Sequence, residues 1–133
     1  MGYPGAYEPV ISVAASGFSG EWLPQAGGAW WYTVNDPDPN ATSLYYITDF
    51  SSRELPGQHL DVAAPGSWVV GPYQLNQGNT SYYFLGGTSM ASPHVAGVTA
   101  LMLQKDPTLT AGEVEYILES TALPFAHNSL TVY

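Results

Sequence analysis

The sequence predicts an α/β protein built on buried parallel strands, and three observations predict it. An apolar run without alternation, Val10-Ile11-Ser12-Val13-Ala14-Ala15, stands between the turn signals Tyr7-Glu8-Pro9 and Ser16-Gly17. That is the pattern of a strand covered on both faces, the kind parallel sheets are made of. From Ser89 to Gln104 small and apolar residues occupy nearly every side, as in a central helix enclosed by protein rather than an amphipathic one on a surface. Thr110-Ala111-Gly112-Glu113 has capping-box spacing ahead of Val114, Ile117 and Leu118 at helical intervals, which predicts a second helix over 111–120.

Between these landmarks the chain is punctuated by turns. Periodicity is lost over residues 17–42, which hold Trp22, Trp30, Trp31 and the polar run Asn35-Asp36-Pro37-Asp38-Pro39-Asn40, and the stretch reads as a surface insertion. Ile47 to Phe50 and Leu60 to Ala64 follow as short strands, the second closed by Pro65-Gly66. Ser67 to Val70 and Ser81 to Leu85 are β-rich around a polar, Gly-containing loop and predict a hairpin. Lys105-Asp106-Pro107 stops the central helix, and residues 125–133 read as a frayed tail.

Composition excludes several function classes. Two basic residues face eleven carboxylates, for a formal net charge of -9. Such a surface repels nucleic acid phosphates and anionic lipid, so neither is expected as a partner. With no cysteine there is no disulfide, thiol nucleophile or thiolate metal site. Met1 to Gly5 has neither the basic nor the apolar region of a signal peptide. The stretch Val95 to Leu103 is far short of the ~20 residues of a membrane helix.

Chemistry concentrates in Gly86-Gly87-Thr88-Ser89-Met90-Ala91-Ser92-Pro93-His94-Val95-Ala96-Gly97. Paired glycines let the backbone turn tightly out of a strand, and the serine then opens a helix whose free N–H groups face outward. A hydroxyl there can attack a carbonyl while its own N–H stabilises the oxyanion. Ala91, Ala96 and Gly97 permit close packing, and Pro93 has no N–H to give the Ser89 carbonyl, so the missing bond falls in the first turn, where helices tolerate it. A bare serine at this point would be only a helix cap.

These twelve residues, taken in order, resemble the serine motif of the subtilase family of serine proteases. Leu60-Asp61-Val62-Ala63-Ala64-Pro65-Gly66 resembles the family's strand and turn upstream of the serine. Tyr3-Pro4-Gly5-Ala6-Tyr7-Glu8-Pro9-Val10-Ile11-Ser12-Val13 resembles the segment beside its specificity pocket. The resemblance implies the C-terminal portion of a doubly wound, mostly parallel catalytic domain with flanking helices, secreted and acting on polypeptides. It implies that Ser89 is the nucleophile and one oxyanion donor, that Thr88 supports the oxyanion site, and that Gly2 borders the specificity pocket. No cofactor is required for that chemistry, although a structural calcium is compatible with the backbone carbonyls of Gly5, Tyr7 and Val10.

In that family the aspartate, the histidine and the oxyanion asparagine precede the Tyr-Pro segment, so their partner role falls to an N-terminal part of the same domain. The histidines here do not replace them. His94, five residues after Ser89, points about 140° away around a helix and is expected as an internal packing residue. His59 shares a face with Asp61 without pointing at a distant helix start, and His127 lies in the predicted tail. Asp36, Asp38 and Asn40 are spaced like calcium ligands but lack the glycine and glutamate of a helical calcium loop, which favours a solvated turn. The three tryptophans read as packing residues before a binding surface. Three functional readings stay open: a portion of an endopeptidase, a binding module on the same framework, and one half of a split protease.

Overall fold

The computed structural model describes residues 2–18, 41–76 and 78–124. The predicted insertion lies outside these residues from 19 to 40, with its tryptophans and its Asp36, Asp38 and Asn40, as does the predicted tail with His127.

Strand β1 (Val13–Phe18) is the centre of a three-stranded sheet in the order β2-β1-β3, with β2 at Tyr45–Ile47 and β3 at Val62–Pro65. β1 and β3 run parallel, Val13 opposite Val62 and Ser16 opposite Pro65, while β2 pairs antiparallel with the end of β1. The predicted parallel pair is present, with boundaries moved. The first strand starts three residues later than the apolar run suggests, because Val10 N–H donates to the Tyr7 carbonyl and Ser12 N–H donates to Asp61. It also continues through Ser16-Gly17, read from sequence as a turn, and Phe18. Gly17 serves close approach there: a Cβ at this position would lie 2.5 Å from the Tyr46 ring.

The strand predicted at Ile47 to Phe50 is instead the end of β2 followed by a turn. Ser51 N–H donates to the Thr48 carbonyl at 3.2 Å, closing the turn that ends the strand, and Asp49 accepts from Phe50 N–H at 2.8 Å. Thr48 and Ser51 are buried against β1, Thr48 N–H donating to the Ala15 carbonyl and Ala15 N–H donating to Ser51 Oγ. The Arg53 guanidinium donates to the carbonyls of Ile47, Thr48 and Ser51, satisfying acceptors that have left the sheet.

The predicted hairpin forms from β4 (Val69–Asn76) and β5 (Asn79–Leu85), antiparallel and longer than the sequence suggested. Two helices follow, α1 (Thr88–Lys105) and α2 (Ala111–Thr121), within a residue of their predicted bounds. α2 opens with the complete capping box: Thr110 Oγ1 accepts from Glu113 N–H while the Glu113 carboxylate accepts from Thr110 N–H.

The core lies between the parallel pair and α1, where Ala15, Ala64, Ala91 and Val95 meet, flanked by Ile11, Val13, Val62 and Leu118. Small side chains keep the helix close to the sheet. α1 is not enclosed on every side by the described residues. Its sheet-facing Ala91 and Val95 are buried, whereas Val98 and Leu101 are 48% and 65% exposed and His94 is exposed as well. His94, expected as an internal packing residue, is thus exposed among the described residues.

Gly66, just past β3, is buried, and a Cβ there would overlap Ala15 and come within 3.0 Å of the Gly87 carbonyl oxygen. Gly66→Ala is therefore expected to cost about 1–3 kcal/mol through overpacking against backbone. Urea unfolding would measure it, with Gly71→Ala as the control, since a Cβ at Gly71 meets nothing within 4 Å. Equal losses for the two variants would refute the packing argument.

Candidate active site

Backbone hydrogen bonds fasten the serine turn to the sheet. Gly66 N–H and Ser67 N–H both donate to the Ser16 carbonyl, at 2.9 and 3.1 Å, and Gly87 N–H donates to the Gly66 carbonyl at 2.8 Å. Gly87 then caps α1 with φ 157° and ψ 159°, a region essentially restricted to glycine. Its carbonyl accepts from Met90 N–H at 3.0 Å, closing the first turn.

Thr88 and Ser89 therefore occupy the first two helical positions, whose N–H groups have no acceptor within the helix. Thr88 is half-buried and Ser89 is exposed. Among the described residues the Ser89 hydroxyl makes no hydrogen bond. The geometry offers an accessible hydroxyl beside its own unused N–H, at the positive end of an eighteen-residue helix.

Among the described residues, no base hydrogen-bonds to it. His94 Nδ1 lies 2.7 Å from the Met90 carbonyl, one turn back along α1, so this nitrogen carries the proton and donates. His59 Nδ1 is 2.9 Å from Asp61 Oδ1, on the entry to β3, as its shared face with Asp61 suggested. The hydrogen bond to Asp61, and then that carboxylate's charge, raise the His59 pKa above its ordinary value; Glu119 and Glu54 add to the field against partial desolvation.

The segment at residues 2–10 forms two successive turns, Tyr7 N–H donating to the Pro4 carbonyl at 3.0 Å and Val10 N–H to the Tyr7 carbonyl at 2.9 Å. Gly2 is exposed, and the Tyr3 and Tyr7 rings stack at 4.6 Å. None of the described hydrogen bonds joins Gly2, Gly5, Tyr7 or Val10 to Thr88 or Ser89. One grouping escaped the sequence reading. Glu119 from α2 comes within 3.6 Å of His59 Nδ1, and ligand atoms of His59, Asp61 and Glu119 all lie within 4.8 Å of one another. The His-x-Asp spacing was visible in the sequence; a carboxylate 58 residues further on was not.

A parallel pair, a glycine-built turn and a serine opening the following helix define a subtilisin-like α/β protein, and the chain belongs to the subtilase family (peptidase S8), whose profile matches residues 1–132. Among its relatives is subtilisin DY of Bacillus licheniformis, 40% identical over 122 residues that make up 92% of this chain and 33% of the relative. An extracellular protease of Xanthomonas campestris pv. campestris is 50% identical over 72 residues, half of this chain and 12% of the relative. The solved protease of Pseudoalteromonas arctica PAMC 21717 superposes with a TM-score of 0.61 at 29% identity, covering 92% of this chain and 32% of that one. The chain thus spans a third or less of each of these proteins.

Proposed function

We propose that this chain is the serine-bearing portion of a secreted endopeptidase catalytic domain and that Ser89 is its nucleophile. The observation that carries the reading is the exposed Ser89 hydroxyl on a helix start whose turn is held by the Gly87 to Gly66 hydrogen bond. Ser89 Oγ attacks the scissile carbonyl of a polypeptide, and its proton passes to a histidine supplied by the N-terminal part of the same domain. The carbonyl oxygen becomes an oxyanion facing the Ser89 N–H, with Thr88 supporting that site. The protonated histidine then gives its proton to the leaving amine, and water releases the acyl group from Ser89 by the reverse sequence.

Gly2 borders the pocket for the substrate side chain in this reading, and the carbonyls of Gly5, Tyr7 and Val10 are open to a structural calcium that takes no part in the chemistry. Export is supported by the extracellular relative, and an acidic surface suits it. No described helix is long and apolar enough to cross a membrane.

The test joins the chain to the N-terminal portion of a family catalytic domain and treats the product with a fluorophosphonate. Stoichiometric labelling mapped by mass spectrometry to Ser89 is expected. Labelling at another residue, or none in a folded product, overturns the assignment.

A further inference from the structure

We propose that His59, Asp61 and Glu119 form a side-chain site for a divalent metal ion of the zinc type, which clamps α2 to the entry of β3. The inference is independent of the role given to Ser89 and uses none of the Gly5, Tyr7 or Val10 carbonyls.

Geometry supplies the first argument. His59 Nδ1 lies 2.9 Å from Asp61 Oδ1 and 3.6 Å from Glu119 Oε1. Ligands about 2.0–2.2 Å from a tetrahedral ion stand roughly 3.3–3.5 Å apart, so His59 Nδ1 is already near that spacing from each carboxylate, and all three donors lie within 4.8 Å of one another. The fourth position opens to solvent, since the His59 side chain is 73% exposed and Glu119 34%. That gives an entry path and room for a water ligand.

Preorganisation supplies the second. The Asp61 side chain is only 5% exposed, and its Oδ2 accepts from Ser12 N–H and sits 2.8 Å from the Ser12 hydroxyl. Ser12 Oγ is also 3.0 Å from the His59 carbonyl and accepts from Asp61 N–H at 3.0 Å. Ser12 is itself buried, at 3% exposure. One buried serine thus fixes both the carboxylate and the backbone of the neighbouring histidine and leaves Oδ1 facing the imidazole. Hydrogen-bonded ligands of this kind are characteristic of metal sites.

Donor chemistry selects the ion. A neutral imidazole with two carboxylates balances a divalent charge, and a ring nitrogen suits zinc and its neighbours, whereas calcium and magnesium require more oxygen donors. Glu119 stands on a helix of which only Val114 is buried, so a bond from it to the sheet side would hold α2 in place.

Isothermal titration of the full chain with zinc chloride tests the site, alongside Co²⁺ absorption and thermal melting in zinc against EDTA. One equivalent of zinc is expected, with visible tetrahedral-type bands for Co²⁺ and a higher Tm in zinc. His59→Ala and Glu119→Gln should each weaken binding at least about tenfold and abolish the Tm rise, while His94→Ala and His127→Ala leave both unchanged. Circular dichroism certifies folding, and should His59→Ala fail to fold, Glu119→Gln carries the comparison because it leaves shape nearly unaltered. Unchanged zinc affinity in the folded variants, loss of binding in His94→Ala or His127→Ala instead, or displacement of zinc by equimolar calcium overturns the proposal.

Discussion

Replacing Ser89 by alanine in the completed catalytic domain is expected to lower kcat by about 10⁶-fold, the scale on which removing the nucleophile of a serine triad acts. Only a solvent-exposed hydroxyl is lost, and that hydroxyl has no hydrogen-bond partner among the described residues, so Tm should stay within about 2 °C, as for a substitution worth no more than ±0.5 kcal/mol. The backbone of the turn is untouched, because Gly87 N–H still reaches the Gly66 carbonyl. Substrate binding and the oxyanion donors remain, leaving a residual rate about 10³–10⁴ above that in water. Peptide hydrolysis under saturating substrate measures the first number and calorimetry the second. A variant turning over within tenfold of the parent would show that the nucleophile lies elsewhere.

The 133-residue chain on its own is expected to hydrolyse no peptide and to take up no fluorophosphonate within the time that labels the completed domain. A serine hydroxyl is a weak nucleophile near neutral pH and needs a base within about 2.6–3.2 Å, itself held by a third group. His94 is engaged by the Met90 carbonyl on its own helix. His59 is oriented by Asp61 through Nδ1, which leaves Nε2 open as in a triad, but it stands at the entry of β3 and no hydrogen bond among the described residues joins it to Ser89. The missing side-chain oxyanion donor removes a further factor of about 10²–10³. The chain and its Ser89→Ala variant are compared under the same probe. Labelling that is strong in the first and gone in the second would mean that a base is present after all, with His59 and then His127 the residues to replace.

Much of this was legible because it is local. The run from Gly86 to Gly97 encodes its own turn and helix start, and the Thr110–Glu113 box encodes the start of α2; both lie where the sequence placed them. The strands were displaced because their limits depend on partners far along the chain. Ser12 turns its N–H to Asp61 while its carbonyl still accepts from Val62, and Gly17 joins the strand under Tyr46; neither choice is written in its neighbours. The exposure of His94 and Leu101 was hidden for the opposite reason: an all-round apolar helix reports the full set of surfaces it is made to meet, whereas the described residues cover one of them. Glu119 could not be assigned to a cluster with His59 from spacing, since only the packing of α2 brings them together.

The path from the Ser16 carbonyl through Gly66 to Gly87 makes the position of the serine a matter of strand register. Were β3 to slip by one residue against β1, Gly66 and the start of α1 would be carried about 3.3 Å along the strand, as far as the whole separation between reacting atoms in a near-attack arrangement, about 3–3.5 Å. The pleat would also turn Ala64 away from Ala91, so the misplaced serine and the opened core would arise from one event. Packing that only appears to stabilise the fold thereby acts as a gauge for the chemistry: no register that misaligns Ser89 can keep Ala15, Ala64, Ala91 and Val95 together.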